Sequence, residues 1–408
     1  MENAARLDYG ASERPAASAP SYTLALKTLR LVNFRSYSDT ILDISPGPVV
    51  LAGQNGTGKT NCLEAISLLS PGRGLRGAKL SEMQRNIPKD ANAQTDENGF
   101  AFRVSLWTVA ATLMRPDGVW DVGTGLAPLS AGANAKRVTH LNGAPAQSAD
   151  FAGLAPMLWL TPAQDRLFLD GAGDRRRFLD RLVFGLDGGH AKRVNRFERA
   201  MRERLRLLRE GRLDPIWLDG LEKTMASEGL ALTEAREKMI ALLNDELALR
   251  GEAGNFPCAH LTLHDGLDSA TDAQELQKKF SALRRRDGES GRTNVGPHLA
   301  DLCVRHTLKR ADARDCSTGE QKALLISIVL ANAWLQKRRD TEYAPILLLD
   351  EIVAHLDARR RSGLFEEVLE LSAQAWMTGT DSDLFAPLAG DAALVSIEAG
   401  QFSRTDWP

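Results

Sequence analysis

Cysteine is scarce in these 408 residues: Cys62, Cys258, Cys303 and Cys316 lie far apart, with no Cys-x-x-Cys pair. That excludes a zinc ribbon and a disulfide framework. Long apolar runs are missing too. The longest, Ala323 to Leu335, is broken by Ser327 and Asn332 and falls short of the ~20 residues a bilayer crossing needs. The start of the chain has neither a cationic opening nor an apolar stretch of the secretory kind. Residues 1–20, rich in Ala, Ser and Pro, read as a disordered tail, and the expected location is a reducing cytoplasm. No repeat of fixed period is visible. A net charge of one sign is also lacking: 51 Lys and Arg against 53 Asp and Glu leave −2. Nothing global points to nucleic acid, although a whole-chain sum can hide a local basic face.

What is present is 43% hydrophobic and 25% charged residues, the proportions of a soluble globular protein. The length suits two or three domains, or one head with a large insertion. Alternating polarity in Tyr22–Phe34 predicts strand, and Pro48–Ala52 reads as a short buried strand before a helix over Thr60–Leu69. Strand-like segments such as Phe100–Ala110 and Pro156–Leu160 follow. From about Asp174 to Leu249 the texture is helical, with breaks at Gly188-Gly189 and around Gly211–Pro215, and a further helical piece runs from Asp272 to Arg285. Beyond Gly296-Pro297 the pattern returns to α/β: a buried helix over Ala323–Leu335, a strand at Ile346–Leu349, a helix over Arg360–Leu371 and a strand at Ala393–Ile397. The expected division is an α/β head in two parts, 21–180 and 292–408, split by a mostly helical insert, 181–291.

Gly53-Gln54-Asn55-Gly56-Thr57-Gly58-Lys59-Thr60 satisfies G-x-x-x-x-G-K-[ST], with a strand before it and a helix after it. Glycines let successive N–H groups turn inward as an anion nest, and the helix aims its positive end at the same place. Lys59 is expected to reach the β- and γ-phosphates and Thr60 to complete a Mg²⁺ shell, with Asn61 following on the first turn. A second acidic element, Ile346 to Glu351, is an apolar strand that delivers Asp350 to its C-terminal edge, the ligand edge of open α/β sheets. Asp350 is the second expected Mg²⁺ residue, and Glu351 is placed to act as general base on water. No Asn-Lys-x-Asp motif is present, so ATP is favoured over GTP.

Cys316-Ser317-Thr318-Gly319-Glu320-Gln321-Lys322 precedes the apolar helix. Taken alone, Ser-x-x-Glu is a helix N-cap with a capping box. It also resembles the signature of the ABC ATPases, about 30 residues before the acidic strand, with Leu356-Asp357 resembling their D-loop. The 291 positions between Lys59 and Asp350 exceed what a transporter subunit needs and resemble SMC-like heads split by an arm. A 30-residue helix spans only about 45 Å, so a long coiled coil is out.

Further segments resemble the RecF family of bacterial recombination and gap-repair ATPases: Leu31–Tyr37, Ser70–Arg76, Arg175–Asp180, Gly296–His298 with Ala300-Asp301, and Leu348–Asp357 with Arg360. The resemblance implies an ABC/SMC-like P-loop head with a short helical arm. It implies that Ser317 and Gly319 of one copy cover ATP held by the other, so that ATP drives homodimerisation, with Asp357 nearby. It further implies a weak ATPase acting on single-stranded DNA, gaps and junctions with RecR and RecO. There it would help load a recombinase in gap repair, replication restart and SOS induction. Some positions depart from the family: Ala163-Gln164 replaces an acidic pair, Asp170-Gly171-Ala172 replaces Gly-x-Pro, and Leu299 follows the Gly-Pro-His segment. No histidine stands in Trp376–Asp381. Gln164 is a candidate Q-loop residue, and Thr380 and Asp381 are both candidates for the switch position.

Residues 171–212 carry 13 Lys and Arg against 6 Asp and Glu, concentrated in Arg193, Arg196, Arg199, Arg202, Arg204, Arg206 and Arg209. Such a stripe can contact DNA phosphates without reading sequence. A solvated helix face with i,i+4 pairs such as Glu198/Arg202 and Arg206/Glu210 reads equally well. His260 and His264 share a strand face without the Glu or third ligand of a zinc site. Two competing functions remain: the ATPase subunit of an ABC transporter, against which the long insert and missing histidine count, and a clamp-like DNA binder with an inert nucleotide site, against which Lys59, Asp350, Glu351 and Ser317 count.

Overall fold

The computed structural model describes residues 22–407 except 86–92, 96–100, 104–105, 128–135, 212–213, 252–254, 340–342 and 354–355. The tail assigned to residues 1–20 lies outside the described residues. In chain order the first part holds β1 (Ala25–Phe34), β2 (Tyr37–Asp43), β3 (Val49–Ala52) and helix α1 (Lys59–Ser67). A small pair, β4 (Ala93–Thr95) and β5 (Ala101–Arg103), precedes β6 (Thr108–Arg115), β7 (Gly118–Ala127), β8 (Lys136–Leu141), β9 (Ala144–Ala146) and β10 (Met157–Leu160). Helices α2 (Ala172–Phe184), α3 (His190–Arg209) and α4 (Pro215–Arg250) come next, then β11 (Ala259–His264), α5 (Ala273–Ala282) and α6 (Arg284–Ser290). The last part holds β12 (Asp301–His306), β13 (Ala311–Asp312), α7 (Thr318–Arg339), β14 (Ile346–Leu349), α8 (Ala358–Leu371), β15 (Ala375–Gly379), β16 (Ala393–Glu398) and β17 (Gln401–Thr405).

The central sheet runs β10-β14-β15-β3-β16-β17, parallel except for the antiparallel edge strand β17. Strands β10, β14 and β15 are buried on both faces, which is why β14 reads Ile-Leu-Leu-Leu without alternation. The pleat still sorts them. Ile346, Leu348, Trp376, Val49 and Leu51 face one core with α1 and the antiparallel sheet β2-β1-β6-β7-β8-β9. Leu347, Leu349, Met377 and Val50 face the other with α2, α7, α8 and the C-terminal part of α4. Because α7 lies inside that second core, Ala323 to Leu330 are buried all round the helix.

Beyond the head, α3, α4, α5 and α6 enclose a separate core of Phe197, Met225, Ala226, Leu276 and Phe280. Helix α4 belongs to both: Met225 and Leu232 lie in the arm core, Met239, Leu243 and Leu247 in the head core. At 36 residues it is about 54 Å long. Its start is set by Asp214, whose carboxylate accepts from the Ile216 and Trp217 amides, with Pro215 at the first helical position. Strand β11, also inside 181–291, pairs with β12 of the head and leaves His260 and His264 exposed on one side. Among the described residues no helix is long and apolar enough to cross a membrane.

An ionic cluster joins the two head parts to each other and to the arm. Arg175 grips Asp301 through Nε and Nη2 at 2.7 and 2.9 Å, and Arg176 donates to the Ala300 carbonyl. Arg236 of α4 grips Asp180 of α2 at 2.8 and 3.0 Å and also donates to the Pro297 carbonyl at 2.7 Å. His190 completes the set, 2.8 Å from Asp180. The two segments singled out in the sequence, Arg175–Asp180 and Pro297–Asp301, therefore bind each other. Burial alone would raise the Asp180 carboxyl, but Arg236 and His190 overcome it and bring it down to about 2.

Removing Arg236 would leave a buried carboxylate without its main partner, a cost of about 3–5 kcal/mol. Arg236→Met is expected to lower unfolding stability by that amount in denaturant titration at neutral pH, and Asp180→Asn in the same chain to restore much of it. An acid with a depressed pKa stabilises the fold above its unfolded-state value, roughly 3.9, and loses that contribution as pH falls toward its folded value. The deficit of Arg236→Met should accordingly narrow as the pH is lowered from neutral toward about 2.

Candidate nucleotide site

The site forms where β3, β15 and β14, adjacent in the sheet, end side by side. The loop after β3 needs its glycines: Gly53, Gly56 and Gly58 have φ of 153°, 86° and 117°. At Gly58 a Cβ would also stand 2.6 Å from the Ser36 hydroxyl, so the β1–β2 turn packs directly against the loop. Thr57 Oγ1 donates to the Gln54 carbonyl at 3.0 Å and closes the turn. Lys59 arches back over it, its ammonium donating to the Gly53 and Gln54 carbonyls at 2.6 and 2.8 Å. Burial lowers the Lys59 pKa, and the charges of Glu351 and Asp350 work against that.

One hydrogen-bonded chain ties the three strand ends together. Thr60 Oγ1 donates to Asp350 Oδ1 at 2.9 Å, and Thr378 Oγ1 donates to the same oxygen at 2.9 Å. The Glu351 amide donates to Thr378 Oγ1 at 2.8 Å, and the Asp350 amide to the Leu160 carbonyl of β10 at 2.9 Å. Burial pushes the Asp350 carboxyl up, while the Thr60 and Thr378 hydroxyls pull it down and Glu351 pushes it up again. Glu351 has φ of 52°, a left-handed backbone rare for a residue with a Cβ and most common at functional sites.

Thr378 is a site residue that the sequence reading passes over. Thr380 and Asp381 lie just past the strand, both exposed, and Asp381 caps the following turn by accepting from the Asp383 amide at 2.9 Å. Only the sheet order reveals Thr378, since β15 lies between β3 and β14 although it follows both in sequence. Gln164 is occupied locally: its Oε1 accepts from the Thr161 amide at 3.0 Å. Its neighbour Asp165 instead reaches the signature helix, 3.4 Å from the buried Lys322 ammonium.

Ser317, Gly319 and Asp357 gather on another edge. Ser317 caps α7, its Oγ donating to Glu320 Oε2 at 2.9 Å and its amide to the same oxygen at 3.1 Å. Lys309 pairs with the other Glu320 oxygen. Lys309 and the two Ser317 donors bring the Glu320 carboxyl down to about 2. Arg360 links Gly319 to Asp357, donating its Nη1 to the Gly319 carbonyl at 3.3 Å and its amide to Asp357 Oδ1 at 2.8 Å. Ala354 and His355 of that segment lie outside the described residues. Among the described residues no hydrogen bond or ion pair joins Ser317, Gly319 or Asp357 to Gly53–Thr60, and all three are exposed.

A cleft of about 490 Å³ opens beside α1, lined by Arg35, Ser36, Asn61, Arg76, Gln84 and Arg85 among others. Asn61 bonds across it, donating to Ser36 Oγ at 3.1 Å and accepting from Arg76 at 2.9 Å. Along α3, Arg193, Arg196, Arg202 and Arg206 each face a carboxylate, from Asp187, Glu228, Glu198 and Glu203 with Glu210 respectively. Arg204 is not part of the exposed stripe: it is fully buried between Glu222 and Asp287. Arg199 is exposed and makes no hydrogen bond or ion pair among the described residues, although its charge acts on the Glu203 carboxylate one turn further on.

A glycine-rich anion loop, a carboxylate at the end of a neighbouring strand and a serine-capped signature helix define an ABC/SMC-type ATPase head. The sequence profile described as the RecF/RecN/SMC N terminal domain matches residues 25–397. The chain is 45% identical over 386 residues to the DNA replication and repair protein RecF of Agrobacterium fabrum, covering 92% of this chain and 98% of that one. It is 43% identical over 389 residues to that of Mesorhizobium japonicum, covering 93% and 98%. In fold it is similar to the recombination mediator protein RecF of the RecFOR pathway, solved as RecF-ATPrS, with a TM-score of 0.77 at 20% identity over 95% of this chain and 100% of that one. It is also similar to the Smc head domain of Pyrococcus furiosus, with a TM-score of 0.52 at 16% identity over 94% and 96%. The chain belongs to the RecF family.

The threonine bridge can be tested directly. Thr378→Val keeps the shape but removes the hydroxyl that holds Asp350 and the Glu351 amide. ATP turnover is expected to fall roughly tenfold, one hydrogen bond to a charged group, while ATP affinity stays within about threefold.

Proposed function

We propose that this chain is an ATP-binding DNA repair ATPase whose two copies close over ATP, and that the state of the nucleotide sets its residence on DNA. The observation that carries this is the division of one chain into two half-sites. The Lys59–Thr60–Asp350 cluster has the donors and oxygens for a triphosphate and its metal, while Ser317 and Gly319 present an exposed, capped helix start that, among the described residues, makes no hydrogen bond or ion pair to Gly53–Thr60. A second copy completes the site. ATP would lie along Gly53–Asn61, with Lys59 on its phosphates. Thr60 Oγ1 and Asp350 Oδ1 are hard oxygens that fit Mg²⁺, which would supply charge neutralisation there. Glu351, held at the end of β14 by Thr378, is the candidate general base. A ligand that binds only the closed pair stabilises that pair by mass action.

The names of the relatives support DNA replication and repair as the setting, and RecFOR membership of a structural neighbour supports RecR and RecO as partners. The arm, taken as 181–291 between head parts 21–180 and 292–408, is the proposed DNA-contacting element. Recombinase loading at single-strand gaps and junctions, replication restart, SOS induction, slow hydrolysis and a cytoplasmic location belong to the same reading. Of the α3 arginines, Arg199 is the best placed to bind phosphate, because Arg193, Arg196, Arg202 and Arg206 must first release a carboxylate.

Two measurements test this. In sedimentation with ATP and Mg²⁺, wild type should dimerise, Lys59→Ala should remain monomeric, and Glu351→Gln should dimerise and fail to dissociate; a Lys59→Ala protein that dimerises like wild type would sink the mechanism. In salt titrations of binding to gapped DNA, Arg199→Glu should weaken binding and reduce the log–log slope by about one. An unchanged slope would return α3 to a solvated face.

A further inference from the structure

Ser317 has one hydroxyl proton, and within a single chain that proton is already in use. Its Oγ donates to Glu320 Oε2 at 2.9 Å, and the Ser317 amide donates to the same oxygen at 3.1 Å. The capping box that starts α7 therefore competes with any ligand for the serine hydroxyl. Glu320 also sets a negative charge beside an exposed serine that, on the two-copy reading, has to meet a triphosphate. Like charges facing each other across an interface cost affinity. The carboxylate suits the positive end of α7, so it serves the helix while opposing the site.

Lys309 offsets that opposition. It stands in the turn 307–310 between β12 and β13 and pairs with Glu320 Oε1, the oxygen that Ser317 does not use. The turn is braced. The Arg310 amide donates to the Thr307 carbonyl at 3.3 Å, and the Thr307 amide donates to the Cys258 carbonyl at 3.1 Å. Arg305 donates to the Arg310 carbonyl at 2.8 Å. A fixed hairpin thus delivers the lysine to α7. Lys309 first, and then the two Ser317 donors, bring the Glu320 carboxyl down to about 2, and a carboxylate so weakly basic competes poorly for the serine proton. Asp357, the acid that Arg360 links to Gly319, is covered in the same manner, 3.6 Å from Arg360 Nε.

We propose that Lys309 is a positioning residue of the signature half-site: by masking Glu320 it lets Ser317 turn its hydroxyl to a terminal phosphate oxygen held by a second copy. This rests on the two-copy reading and deepens it. Lys309 belongs to neither the glycine loop, the acidic strand nor the signature.

The test is the dissociation constant of the dimer, measured by sedimentation of the full chain with AMP-PNP and Mg²⁺ so that hydrolysis does not intervene. Wild type should dimerise and Lys59→Ala should not; a wild type that stays monomeric, or a Lys59→Ala protein that dimerises equally, overturns the two-copy reading itself. A closed pair contains two signature contacts, so an effect of roughly threefold per site becomes about tenfold in the dimer. Lys309→Met should weaken the dimer by that factor. Glu320→Gln keeps a capping box without the charge and should tighten the dimer, a sign that loss of a merely structural contact would not give. In the Glu320→Gln background, Lys309→Met should change the constant less than about twofold, because nothing remains to be masked. A Glu320→Gln dimer that is weaker or unchanged, a Lys309→Met dimer like wild type, or equal losses from Lys309→Met in both backgrounds would overturn the proposal. Should Lys309→Met fold poorly, Lys309→Gln is read in the same way.

Discussion

At the end of β14 an all-apolar strand, Ile346–Leu349, delivers a carboxylate into a place 4% exposed, and the candidate nucleotide site is built around that difficulty. Burying Asp350 costs several kcal/mol unless its oxygens are hydrogen-bonded. Thr60 from the P-loop helix and Thr378 from β15 supply those bonds to one oxygen. The same Thr378 hydroxyl accepts from the Glu351 amide and so fixes the turn that carries the next carboxylate. Three strand ends are thereby locked to one another through a single atom, Asp350 Oδ1. Any shift of β14 relative to β3 must break a charge-assisted hydrogen bond.

The residues on contiguous segments were the legible ones. Gly53–Thr60 needs no tertiary information, because φ values that favour glycine and the strand–loop–helix context are both local. The buried strands and α7 could be read for the same reason, their apolar runs being continuous. Residues brought in by sheet order were not legible. Thr378 lies 28 positions beyond Asp350, in a strand whose composition says only that it is buried, and its role follows from β15 inserting between β14 and β3. Glu64, wholly buried on α1, was hidden in another way. On a helix pattern it is one polar residue among Cys62, Leu63, Ala65 and Ile66, and its partners Arg35 and Arg76 come from loops that no periodicity connects.

The arm shows what a charge count can and cannot say. Thirteen basic residues in 171–212 looked like a surface, yet their fates differ once folded. Arg175 and Arg176 bind the Ala300-Asp301 segment, Arg204 disappears into the arm core between Glu222 and Asp287, and four of the α3 arginines face carboxylates. Exposed pairs of that kind contribute little, about 0–1 kcal/mol each, so a polyanion can displace them at small cost. Buried ones cannot be recruited. The useful quantity for a DNA face is the number of arginines whose partners are exposed or absent, and sequence alone cannot give it.

Arginine held by buried carboxylate recurs at each junction: Glu64 with Arg35 and Arg76 beside the loop, Asp180 with Arg236 between α2 and α4, and Glu222 and Asp287 with Arg204 inside the arm. Such pairs are weak sources of stability, because desolvation offsets most of the attraction, but breaking one is costly. They set geometry rather than add strength. In this chain they stand where the β1–β2 turn meets α1, where the arm meets the head and where the arm helices meet each other. The near-zero net charge follows from the same arrangement: acids and bases are matched largely because so many of them are used on one another.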